Sequence, residues 1–179
     1  MASPGDILLY IRMRGIGTKY PVRTVQAARE HSLNIPLFCS VLTQETAGGL
    51  MLWGHDPTIF VGGYDAKNGV HYGPIVTEIS YKAYLAQRGP KGRGGMQGCG
   101  SGQLTYYAYQ DRADVLGGCW KILPNLRVTA EILAANIAKD GLGAGVAAYN
   151  GSGPSAKKYA DQVIARANVY AAKLGLPRP

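Results

Sequence analysis

Leu126, Ala130, Leu133 and Ile137 recur at steps of four, three and four residues, and Val163, Ala167, Tyr170 and Leu174 repeat that rhythm. Such steps return side chains to one face of a helix, so the last third must form two amphipathic helices with stripes to bury. A shorter apolar helix, about 142–149, is expected between them, with Gly151 and Pro154 just beyond its end. The N-terminal part reads the same way. Ser3 followed by Pro4 is an N-cap with proline at the first helical position, and Ile7, Leu8 and Ile11 supply a short apolar stripe. A second helix is expected over about 22–31. A third opens at Pro36 and stops at Gly48 and Gly49.

The middle of the chain is punctuated instead. Gly54, Pro57, Gly62, Gly63, Gly73 and Pro74 break short apolar runs, and Asn68-Gly69 marks a small hairpin. A helix over 80–88 follows. Residues 88–102 hold too much glycine for regular structure, and a short helix is expected to begin near Gln103. The sum is one mainly α domain over 1–179, a helical bundle with a small loop and hairpin segment at about 50–78.

Nineteen Lys and Arg stand against eleven Asp and Glu, a net charge of +8. That balance favours an anionic partner: nucleic acid, a membrane surface or bacterial wall polymer. No apolar run reaches the roughly 18 residues of a membrane span, so insertion is not expected. Residues 1–15 do not read as a secretory signal, because charge does not precede the apolar segment and no small-residue cleavage site follows. Synthesis in a cytoplasm is expected, with action outside it only after release. Cys39, Cys99 and Cys119 are odd in number and lack a CxxC, which argues against a disulfide framework and a cysteine zinc site. His31, His55 and His71 make no HExxH, and a site drawn from His55, Asp56 and His71 matches no ligand spacing. No metal or cofactor is expected.

Among the eleven acids, Glu45 stands apart. On a helix opening at Pro36 it lies seven, four and three residues after Phe38, Val41 and Leu42, which puts its carboxyl on the apolar face. It also sits in the last turn, where the dipole end and apolar neighbours both disfavour the charged form. A carboxyl kept neutral near pH 7 is what a general acid requires. The plain alternative is a glutamate that bends out to solvent as its helix ends. The glycine-rich stretch lacks the Gly-Lys-Ser/Thr of a phosphate loop, and its glycines suit close approach of backbone to an extended polymer. Tyr106, Tyr107 and Tyr109 are either core or a stacking platform for sugar rings. Asn150 either caps its helix or presents an amide to a substrate.

In order along the chain, Glu45-Thr46 at a helix end, Gly100 to Leu104, and Ala147 to Gly151 (Ala-Ala-Tyr-Asn-Gly) resemble three motifs of the lytic transglycosylase and goose-type lysozyme superfamily. Those motifs are a catalytic Glu followed by Ser, then Gly-Leu-Met-Gln, then Ala-Tyr-Asn-Ala-Gly. Residues 159–170 resemble the final helix of goose-type lysozymes. The central stretch is similar to the muramidase-type lysin domains of phages that infect actinobacteria. The likeness spans roughly 35–175 and leaves 1–34 as an N-terminal helical extension.

The resemblance implies a lysozyme-like α+β fold around a substrate groove. It implies a monomeric phage endolysin that cuts the β-1,4 bond between N-acetylmuramic acid and N-acetylglucosamine in peptidoglycan glycan strands, with no nucleic-acid partner. Glu45 would be the general acid/base, Tyr149 and Asn150 would hold the N-acetyl group and the catalytic Glu, and Gln103 would touch substrate from the groove wall. Thr46, in place of the usual Ser, keeps a hydroxyl there. Ser101 and Gly102 replace Leu-Met, which implies lost groove-lining side chains. Thr105 stands where goose-type enzymes carry Asp. A second carboxylate must then come from the segment 50–78: Asp56 first, with Asp65 and Glu78 behind it. Loss of the acid at 105 favours transglycosylase chemistry, and Asp56 keeps hydrolysis open. Two readings from other classes stand beside this one. One is a cysteine-dependent peptidase or amidase pairing Cys39 or Cys99 with His55 or His71, and the other is a non-catalytic basic wall-binding module.

Overall fold

The computed structural model describes residues 3–56 and 58–179; Met1, Ala2 and Pro57 lie outside the described residues. Those described form eight α-helices and one short antiparallel hairpin. The helices are α1 (Pro4–Gly15), α2 (Pro21–Glu30), α3 (Ile35–Thr46), α4 (Glu78–Arg88), α5 (Tyr107–Val115), α6 (Ile122–Asp140), α7 (Leu142–Asn150) and α8 (Gly153–Leu174). Strands β1 (Tyr64–Asp65) and β2 (Val70–His71) flank the expected Asn-Gly turn, with Tyr64 opposite His71. The mainly α architecture with a small hairpin is the one the sequence implies.

Local chemistry sets the helix ends. Ser3 accepts from the Asp6 backbone N–H at 3.2 Å while the Asp6 carboxylate accepts from the Ser3 N–H, a reciprocal capping box. Asn34 Oδ1 accepts from the Leu37 N–H at 2.9 Å and starts α3. That helix stops at Ala47, which adopts the left-handed conformation at φ 52°. Thr77 caps α4 in a box with Ser80, so α4 starts slightly earlier than the apolar pattern implies.

Two apolar clusters share α6 as their partition. Leu126, Ala130 and Leu133 face Phe38, Val41 and Leu42 of α3, Ala27 and Ala28 of α2, Val146 of α7 and Val163 and Ala167 of α8. Val128 and Ile132 face the other way, toward Trp53, Phe60, Tyr81, Tyr84 and Cys99. Burial of large side chains of this kind stabilises by about 1.5–3 kcal/mol each. Within the second cluster Trp53 packs on Phe60 at 4.7 Å and on Tyr84 at 5.2 Å between ring centres. Since α2 supplies Ala27 and Ala28 to the main core and α1 buries Met13 beside Val25, the helices of residues 3–34 are part of the packed body.

Two expectations are corrected. The stripe of Ile7, Leu8 and Ile11 does not pack: these side chains are exposed, Ile11 by 62%. The opposite face of α1 carries Leu9, Tyr10 and Met13, and that face is buried with Val25, Cys39 and Leu174. The short helix begins at Tyr107, not near Gln103. Gln103 has φ 52°, which no right-handed helix accommodates, and its amide Nε2 donates to Leu52 O at 2.9 Å and Gly100 O at 3.0 Å. Residues 100–104 are therefore a tied turn rather than a helix start.

Candidate active site

A cleft of about 420 Å³ opens where the two clusters meet. Its walls come from four places: Glu45 and Thr46 at the end of α3, Leu52 to Asp56, Gln103 to Tyr109, and Tyr149 and Asn150 at the end of α7, with Ile132 of α6 beneath. The structure thus brings together Glu45, Thr46, Asp56, Gln103, Tyr149 and Asn150, whose extremes lie 105 residues apart in the chain.

Glu45 projects from the last turn of α3 and is half-buried. The Tyr159 hydroxyl, from the first turns of α8, donates to Glu45 Oε1 at 2.5 Å. Burial raises the Glu45 carboxyl above its ordinary value of 4.5; the Tyr159 bond opposes that rise and the charge of Asp56 adds to it. The carboxyl is thus biased toward its protonated form while one donor stands ready for its anion. Burial, then the neighbouring Glu45 charge, pushes the Tyr159 phenol far up, so it acts only as a donor here.

Tyr159 was not among the residues the sequence singled out. It lies four before Val163 on the same helical stripe, so spacing alone assigns it to the core, where it indeed packs. The signal available was the hydroxyl at the end of that stripe, which a buried tyrosine has to satisfy.

Three of the other motif residues are tied by hydrogen bonds to the 100–104 turn or the segment beside it. The Tyr149 hydroxyl donates to Gly102 O at 2.5 Å and makes no bond to Glu45. The Thr46 hydroxyl is buried and donates to Ser101 O at 2.7 Å, so it ties α3 to the 100–104 turn. Gln103 has spent its amide N–H groups on Leu52 and Gly100, which makes it a brace of the groove wall. Asn150 is exposed at the end of α7 and faces the cleft.

Ser101 and Gly102 are interior positions, not lost groove walls. Ser101 is fully buried and donates to Gly49 O at 2.5 Å. Gly102 presses so close to α6 that a Cβ there would lie 1.9 Å from Thr129 Oγ1. Its N–H donates to Asn125 Oδ1 at 3.1 Å. A Leu-Met pair has no room in this packing.

Of the acids considered as partners for Glu45, Asp56 alone lines the cleft, and it is exposed there. Asp65 is buried in the hairpin, accepting from the Asn68 N–H at 3.0 Å and the Asn68 amide at 2.9 Å. Burial alone would raise its carboxyl, and the Asn68 bonds outweigh that and hold it low. Glu78 sits at the start of α4, paired with Lys82 at 2.7 Å. Thr105 does line the cleft, but as a hydroxyl.

All three cysteines are buried and free. Burial pushes the Cys39 thiol up to about 12 and the Cys99 thiol well above its ordinary value, the reverse of what a nucleophile needs. Neither lines the cleft. Among the described residues no three His, Cys, Asp or Glu side chains cluster as a metal site. Among the described residues no Lys or Arg lines the cleft either, so the net positive charge lies on other surfaces. No family model, curated protein or solved structure matches this chain.

Proposed function

We propose that this protein is a peptidoglycan glycosidase that cleaves the β-1,4 bond between N-acetylmuramic acid and N-acetylglucosamine, with Glu45 as general acid/base. The observation that carries the reading is a carboxyl biased toward protonation, held by Tyr159, in a cleft that Asp56, Tyr149 and Asn150 also line. Glu45 gives its proton to the glycosidic oxygen as the bond to the anomeric carbon breaks and positive charge grows on the sugar ring. The carboxylate left behind gains in strength from the Tyr159 O–H, because a bond to an ionised acceptor is about twice as strong as a neutral one.

Two continuations share that first step. In one, Glu45 takes the proton from the sugar's own 6-hydroxyl, whose oxygen closes a 1,6-anhydro ring on the anomeric carbon. In the other, Asp56 takes a proton from water, which attacks the opposite face and inverts it. The place of Asp56 in the cleft favours keeping the second route beside the first. The cationic surface outside the cleft would draw the protein to an anionic wall, most strongly at low salt. The setting we infer is that of a phage endolysin, made in the host cytoplasm and acting on the wall after release.

Mass spectrometry of digested peptidoglycan tests this. Anhydro-sugar ends identify the transglycosylase route and hydrated reducing ends the hydrolase. Both should vanish with Glu45→Gln. A digest in which only peptide or amide bonds are cut would overturn the reading.

A further inference from the structure

We infer that Tyr106 and Tyr109 form an aromatic platform in the cleft that stacks an uncharged N-acetylamino sugar ring of the bound polymer; this rests on the glycosidase reading. Most of the large aromatics of this part of the fold are buried: Trp53, Phe60, Tyr81 and Tyr84 show 1% exposure or less. Tyr106 and Tyr109 are 46% and 40% exposed, and both line the cleft that holds Glu45. Their rings stand edge to face, 5.5 Å apart at 75°, and Tyr106 also packs on Tyr107 at 4.6 Å. Such a corner offers one open face with a second ring bracing it.

The platform is held rigidly from below. Buried Gln110 donates to Gln97 O at 2.9 Å and Leu104 O at 2.7 Å and accepts from Tyr84 at 3.0 Å. Arg88 bonds Tyr107 O at 3.3 Å and Asp111 at 2.5 Å. The N-cap residue and first turn of α5 therefore carry the two exposed rings on a braced backbone, and an ordered apolar face loses little entropy on binding.

Charge decides the ligand class. Exposed aromatics also stack nucleobases, but a nucleic acid brings phosphates that need Lys or Arg. This cleft has Glu45 and Asp56 and no Lys or Arg. The exposed Asp56 carboxylate opposes a ring bearing a carboxylate on the platform. An N-acetylglucosamine unit, apolar on the face of its ring and uncharged, fits both constraints, with the Thr105 hydroxyl and the Asn150 amide also lining the cleft for its polar groups.

The test uses the full chain carrying Glu45→Gln with N-acetylchitohexaose as probe, and the otherwise wild-type chain for turnover of walls. Binding should perturb the ring resonances of Tyr106 and Tyr109. Tyr106→Ala and Tyr109→Ala should each weaken hexaose binding by about three- to tenfold. In the active chain the same changes should raise KM and leave kcat near its original value, with unfolding temperature unmoved. If hexaose binds and walls are cut equally well in both variants, the platform is overturned while the glycosidase reading stands. If hexaose binds through the tyrosines but no glycan is cut, the platform stands and the reading fails. If an oligothymidylate displaces the hexaose from the same rings, the uncharged-sugar assignment is overturned.

Discussion

Replacing Tyr159 by Phe removes one oxygen and nothing else from the face that meets Glu45. The lost bond is 2.5 Å long and runs from a phenol to a carboxyl oxygen. Hydrogen bonds to charged groups contribute about 1.5–3 kcal/mol. That bond favours the ionised form, so its loss leaves burial and the Asp56 charge to raise the carboxyl unopposed. At about 1.36 kcal/mol per pH unit, the alkaline limb of kcat/KM should move upward by about one to two units. The ring stays, so packing against Val163 and Ala160 should hold and thermal unfolding should change little. The assay is the pH profile of wall clearing for both proteins, at fixed low salt. An unmoved limb, or one that moves down, would refute the account of how Glu45 is held.

Other consequences follow from the same geometry. Glu45 titrates higher folded than unfolded, so stability is full below 4.5 and is lost as pH rises through the folded value. Glu45→Gln should therefore unfold at a higher temperature than wild type at about pH 8 and at the same temperature at about pH 4, while losing at least about a hundredfold in rate. Asp56→Asn removes a charge that raises Glu45, so the alkaline limb should move down; a further hundredfold fall in kcat would mark Asp56 as the base of a hydrolase, and no fall would mark the anhydro route. Gly102→Ala forces a methyl against Thr129 and should cost about 1–3 kcal/mol, read as a fall of about 2–4 °C per kcal/mol in thermal unfolding. Iodoacetamide should leave the native protein unmodified and active, since all three thiols are buried; rapid alkylation with loss of activity would revive the cysteine alternative.

Periodicity made the helical frame legible. The stripes of α6 and α8 were read from spacing because a repeat near 3.6 leaves few other structures. The position of Glu45 on the apolar face of α3 was legible for the same reason, since Pro36 fixed where that helix opens. The failures lie where periodicity says nothing. In α1 both faces carry apolar residues, so spacing could not choose between Ile7, Leu8 and Ile11 and the buried Met13 face. Gln103 adopts a left-handed backbone because its own side chain ties Leu52 and Gly100, a tertiary cause with no local signature.

Which residues share the cleft was legible, whereas their hydrogen-bond partners were not. Glu45, Asp56, Gln103, Tyr149 and Asn150 do line one cleft. Yet Tyr149 serves Gly102, Thr46 serves Ser101, and the hydroxyl that serves Glu45 comes from Tyr159. Motif spacing reports which segments meet, whereas hydrogen-bond partners depend on how α3, α7 and α8 pack, which is a matter of tertiary distance.

The most direct measurement is a carbon-detected NMR titration of the Glu45 side-chain carboxyl in the intact protein. A midpoint above the ordinary 4.5, lowered by Asp56→Asn and raised by Tyr159→Phe, is what the structure requires. A midpoint at or below 4.5 that ignores both substitutions would contradict it.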